Sequence, residues 1–235
     1  MNFILNRTAV SLGLYLSILS ATQPGDTLVW KAVNAFYNYE TAEAITILDS
    51  ARLEYPDNPH AHFTWVAARM LHSEANHATE NTYSVLSKSL DTVIPVLKML
   101  KNKYPQDPEY GLYLGCAIGL RARVSLGRKQ WLSTLVNAYK GFRLIQDVAR
   151  NNPDIVDAQL PVGIVEYYAG LNPGFIQLGA KLMGIDANRK GGLAKIEKAA
   201  AQGEFSWIEA KKIVAFITLW MEDDPRSALL HSRDL

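Results

Sequence analysis

The chain has 235 residues, of which 49% are hydrophobic, with 24 Lys and Arg against 23 Asp and Glu. That is ample material for a core, and a formal net charge of +1 lacks the basic excess that nucleic-acid binding requires, so no nucleic-acid partner is expected. The one cysteine, Cys116, rules out an internal disulfide framework or a Cys-based zinc cluster, and its neighbours Leu114, Ala117 and Ile118 mark it as a small buried residue.

Residues 1–7 form a short basic start, and residues 8–21 are apolar and uncharged. That run falls short of the ~20 residues of a membrane span and suits the h-region of a secretory signal. Ser20, Ala21 and Thr22 offer a cleavage site before Gln23-Pro24-Gly25. The chain therefore divides into a signal peptide at 1–21 and one domain at 22–235, exported to the periplasm, the outer membrane or the medium. No cysteine stands at the cleavage site for a lipoprotein anchor. Membrane association is expected only through this N-terminal segment, if it is kept as an anchor.

Residues 28–59 read as two short amphipathic helices closed by a proline loop. Ala32 and Ala35 in the first helix and Ala44 and Ala51 in the second allow close approach, with Phe36, Ile45 and Leu48 filling the space beside them. Ala44, Ile45, Leu48 and Ala51 share one face. Residues 38–40 form the turn, Thr41 is a candidate cap, and Pro56 and Pro59 end the unit. Ala32, Ala44, Leu48, Ala51 and Pro56 match the small-residue and proline positions of the tetratricopeptide repeat, which the segment resembles. It departs from that family at the first helix, where the usual Trp and Tyr positions hold Leu28 and Ala35.

The unit recurs. Pro56, Pro105 and Pro153 close similar phrases at separations of 49 and 48 residues, longer than the ~34 of the standard repeat. The next boundary falls at Gln202-Gly203-Glu204. The second unit has a helix over 60–73, a polar break at 74–81 and a helix that Pro95 should kink. The third opens with the cap Asp107 and Pro108, carries a close-packing stripe of Leu112, Gly115, Cys116, Gly119 and Leu120, turns at 127–129 and continues over 131–151.

In the fourth unit, Gly163 and Ala169 allow close packing, Asn172-Pro173-Gly174 opens a short helix over 175–183, and Gly184-Ile185-Asp186 breaks it. Asp186 is placed to cap the helix that carries Gly191. The run G-x-x-x-Y-Y-x-G-x-x-P followed by G-x-D-x-x-x-x-G resembles bacterial envelope-associated repeat proteins, and more distantly a eukaryotic inclusion-body-clearance repeat family. The resemblance spans about Gly163 to Trp220 and implies no catalytic activity. A fifth unit begins at Phe205. The cadence predicts a further proline phrase near about residue 251, so the domain is expected to continue past Leu235.

Candidate chemistry is sparse. His60, His62, His72 and His77 lack metal-site spacing, since His62 and His72 on one helix stand ~15 Å apart; they read as exposed helix-end and loop residues. Gly184 to Gly192 lacks a phosphate-loop ending, and no nucleophile elbow or triad order occurs. The five tryptophans, at 30, 65, 131, 207 and 220, read as core. Glu166, Tyr167, Tyr168, Asn172 and Arg189 are the candidate binding residues. A carboxylate in an apolar helix must be paired or solvated, so Glu166 is expected to bond Arg189 or Lys190, either as an internal tie for the short helix or as the polar spot of a ligand pocket.

The reading is an all-α, right-handed α-solenoid of about nine helices whose concave side forms an extended groove. It is expected to be a non-catalytic scaffold for a protein or peptide partner, with no cofactor and no metal. The alternatives are a small-molecule binder or enzyme built around Glu166, Tyr167 and Arg189, and an envelope assembly factor held by its N-terminal helix.

Overall fold

The computed structural model describes residues 23–233; the apolar run 8–21 and its cleavage site lie outside them. Every regular element described is helical. The helices are α1 (Asp26–Tyr37), α2 (Thr41–Glu54), α3 (Pro59–Asn76), α4 (Thr79–Lys103), α5 (Pro108–Gly127), α6 (Trp131–Asn151), α7 (Gln159–Leu171), α8 (Gly174–Leu182), α9 (Arg189–Gln202), α10 (Trp207–Trp220) and α11 (Pro225–Ser232), with one 3-10 turn at Val156–Ala158. Among the described residues this makes eleven α-helices, against about nine expected.

Local chemistry explains most boundaries. Asn58, Asp107 and Asp224 each precede a proline at the first helical position and accept a hydrogen bond from a backbone N–H of the first turn. The side-chain acceptor and the pre-set φ together start α3, α5 and α11. Helices α1, α5 and α10 stop the same way: Tyr39, Lys129 and Asp223 take positive φ, and the next N–H reaches back to Ala35, Ser125 and Thr218 carbonyls, closing the helix ends. Two expected caps differ. Thr41 is the first residue of α2, and its hydroxyl bonds His72 Nδ1 at 2.8 Å. Asn188, not Asp186, caps α9 by accepting from Gly191 N–H, since two further residues intervene before the helix starts. α4 runs unbroken through Pro95.

The helices pack in a row, α1 on α2 through α6 on α7, then α7 on α9, α9 on α10 and α10 on α11. Ala32, Ala44, Leu48 and Ala51 are fully buried, as the close approach of α1, α2 and α3 requires. One core runs from α1 to α7 and a second joins α7, α9 and α10. Leu48, Leu86, Leu90, Leu97 and Leu100 are shut off from water, each stabilising the fold by about 1.5–3 kcal/mol. Trp65 is buried, but Trp131 and Trp220 are exposed, against the expectation that all five tryptophans sit in the core: both stand at helix ends, beyond the reach of a covering neighbour.

A contact distant in sequence joins the two ends of the row. Phe205, in the loop between α9 and α10, stacks on Trp30 of α1 at 4.6 Å and packs with Val29 and Val33. Lys212 of α10 lies 5.5 Å from the Tyr37 ring. Elsewhere the row packs chiefly neighbour on neighbour; here an aromatic side chain at the α9–α10 turn finds an apolar face on α1.

Candidate functional site

The first helix of each early unit starts at a common end of the molecule, and its first turn carries a polar side chain. Asp26 opens α1, His60 is the second residue of α3 and Glu109 the second residue of α5. The 49-residue spacing thus puts His60 and Glu109 at equivalent positions. Acidic side chains suit the positive end of the helix dipole. Here two of them flank an imidazole: His60 Nδ1 is 3.0 Å from Asp26 Oδ1, and Nε2 is 3.1 Å from Glu109 Oε2. With a carboxylate at each nitrogen, both must donate, and the ring is an imidazolium. Burial opposes that charge, but the hydrogen bonds and negative charges of Asp26 and Glu109 prevail and raise the pKa to about 9. Burial likewise opposes ionisation of Asp26, yet the contacts with His60, Asn58 and Gln23 keep its carboxyl below the usual value.

Aromatic rings close over this node. Phe205 lies 4.3 Å and Tyr113 4.7 Å from the His60 ring. Asp157 holds the Phe205 loop in place by accepting from Phe205 N–H at 3.0 Å, Ser206 N–H at 3.1 Å and the Ser206 hydroxyl at 2.7 Å.

Beside the node is a cavity of about 740 Å³ whose lining includes Asp107, Glu109, Asp154, Asp157 and Glu204, and neither Lys nor Arg. Burial, with Glu109 nearby, raises the Asp107 carboxyl; burial, with Asp157 nearby, raises that of Glu204. Burial is the larger cause of both shifts; the neighbouring carboxylates add to it and His60 pulls the other way. Among the described residues no three His, Cys, Asp or Glu are placed to hold a metal ion.

His60 and His62, expected at the surface, are both buried. His62 is the reverse of its neighbour: burial and Arg52 lower its pKa, and it accepts from Arg52 Nε at Nδ1 while its Nε2–H meets Pro56 O.

The five residues singled out in the fourth unit separate into different settings. Glu166 is buried and pairs with Lys195 of α9, not with Arg189 or Lys190, because Lys195 is the cation that the α7–α9 packing brings opposite it. Arg189 instead grips Glu222, Nε at 2.9 Å and Nη2 at 2.6 Å, and the Tyr167 hydroxyl donates to the same carboxylate at 2.6 Å. Tyr168 is partly exposed, and Asn172 donates back to its carbonyl. Neither the acidic cavity nor a second one of about 600 Å³ beside α8 takes a side chain from these five. The structural positions are clearer. Gly163 crosses Gly192 so closely that an added Cβ would lie 2.6 Å from Gly192 O. Pro173 precedes α8, Gly184 turns at φ 75°, and Asp186 O accepts from Asn188 N–H.

The acidic node went unread in the sequence, although its signal was present: the cadence that aligns Pro59 with Pro108 also aligns His60 with Glu109. Asp157 left no such mark, and although the cadence places a boundary at Glu204 and Phe205, no local spacing aligns them with His60. Comparison with protein-family models and with curated proteins gave no match.

Proposed function

We propose that the chain is a non-catalytic binding module of the exported, tetratricopeptide-like solenoid kind, and that it takes a cationic segment of a protein or peptide partner in the cavity beside His60. The observation that carries this is the carboxylate-lined wall with no lysine or arginine. A Lys or Arg side chain entering there gains charge-assisted hydrogen bonds and offsets the burial and the neighbouring carboxylates that raise Asp107 and Glu204. Nothing in the cavity pairs a nucleophile with a base, which favours binding over catalysis.

The test is fluorescence anisotropy with a labelled lysine-rich peptide and a glutamate-rich control. The lysine-rich peptide binds, more weakly as salt rises, and the double variant Asp154→Asn, Glu204→Gln weakens it by roughly tenfold. Equal binding of the two peptides, or no effect of the double variant, overturns the reading.

A further inference from the structure

The opposite end of α5 has the opposite charge. Between Glu109 and Asp147 the chain contains no acidic residue and six basic ones: Arg121, Arg123, Arg128, Lys129, Lys140 and Arg143. Arg121 and Arg123 pair with Asp91 and Glu74. Arg128, Lys129 and Lys140 are exposed, with no carboxylate partner among the described residues. The N-terminus of α6 lies among them with no side-chain cap and no acidic residue in its first turn, so its free N–H groups and dipole add to the positive field.

The same half-helix exposes large apolar side chains. Trp131 is 64% exposed, Leu132 76% and Leu135 61%, with Val136 and Tyr139 also open. Trp131, Leu135 and Tyr139 fall at i, i+4 and i+8, and Leu132 and Val136 run beside them, so the five make one stripe. It is uncovered because α6 has 21 residues and α7 only 13. The second half of α6, with Phe142, Ile145 and Val148, is buried, and the first half overhangs. A continuous apolar stripe on a surface marks a contact site.

Residue type narrows the partner. Tryptophan, tyrosine and leucine on one face, edged by cations free to extend outward, suit the boundary between water and acyl chains. Unrelieved positive charge around the stripe favours an extended anionic surface over a discrete protein partner. Neither cavity reaches this stripe. We infer that the first half of α6, with the turn before it, is a contact surface for an anionic lipid bilayer. Trp131, Leu132, Leu135, Val136 and Tyr139 enter the headgroup boundary, and Arg128, Lys129 and Lys140 meet lipid phosphates. The contact is peripheral, since no described helix is long and apolar enough to cross a membrane. It is separate from residues 8–21 and does not depend on the acidic cavity.

The test is co-sedimentation of the full chain with vesicles of phosphatidylcholine alone and of phosphatidylcholine mixed with an equal part of phosphatidylglycerol. The wild type partitions to the mixed vesicles, less so at high salt. The variants Trp131→Ala with Leu135→Ala, and Arg128→Gln with Lys129→Gln, each reduce partitioning by about tenfold while keeping the wild-type circular dichroism. Binding unchanged in both variants assigns the membrane contact to residues 8–21 and overturns the proposal. So does an absence of vesicle binding, whether or not light scattering shows self-association that Trp131→Ala with Leu135→Ala abolishes; self-association of that kind would make the stripe a protein interface.

Discussion

Two histidines two residues apart show how completely surroundings set a side chain's chemistry. His62 meets a guanidinium and a carbonyl and is held neutral; His60 meets two carboxylates and is held charged. The raised value of His60, about 9 against an ordinary 6.5, fixes the sign of its contribution. The stabilisation is complete below 6.5, declines as pH rises between the two values, and is lost above 9. At the acid end Asp26, lowered from 3.8, keeps its contribution above that value and loses it as pH falls through the lowered one. Urea unfolding measured from pH 6 to 10 should therefore show stability falling through the His60 window. His60→Ala should remove most of that slope and cost roughly 3 kcal/mol at neutral pH, because Asp26 stays buried without its cation. A slope unchanged by the substitution would place the titrating group elsewhere.

Helix pairs depend on the smallest side chains. α5 and α6 cross where Gly115 faces Gly141: a Cβ on Gly141 would stand 2.7 Å from Gly115 O and 2.8 Å from Gly119 N. Backbone has no room to yield there, so Gly141→Ala should destabilise by about 1–3 kcal/mol. Gly119, one turn along α5, is the internal control. A Cβ built on it meets nothing within 4 Å, and Gly119→Ala should raise stability by up to about 1 kcal/mol through helix propensity alone. Thermal melts of the two variants should move in opposite directions; a shift of the same sign would contradict the crossing geometry. The close-packing stripe of α5 was legible from its spacing of small residues. Which of its glycines touches the neighbouring helix was not, since that depends on where the partner crosses.

Across the whole molecule, the Phe205 loop links elements far apart in sequence. Phe205 touches Trp30 and the His60 ring, while Asp157 holds its backbone. Phe205 is half-buried, so Phe205→Ala should cost about 1–2 kcal/mol, and the loss should be local in hydrogen exchange. Amides of α1 should exchange faster while those at the α7–α9 crossing keep their protection. Equal loosening of both regions would mean that the row unfolds as one unit and that the loop has no special hold on α1. The same contact places Glu204 on the wall of the acidic cavity, so the candidate site is completed by a segment that a nearest-neighbour array would have kept apart from it.

Helix type, the positions of most turns and the repeating proline phrases were determined by the sequence itself, because each follows from interactions within a few residues: a capping oxygen, a fixed φ, an apolar face at helical spacing. Export and the solenoid's handedness stand as proposals that those local signals motivate. Tertiary structure alone decided which charges meet. Glu166 finds Lys195, Arg189 finds Glu222, and Asp26 finds His60; every one of these pairs spans 29 residues or more. No periodicity encodes such partners, since the distance between two side chains on separate helices is set by how the helices cross. The acidic cavity belongs to that second category, built from the start of α5, the 154–157 segment after α6 and the α9–α10 loop, which only packing brings together.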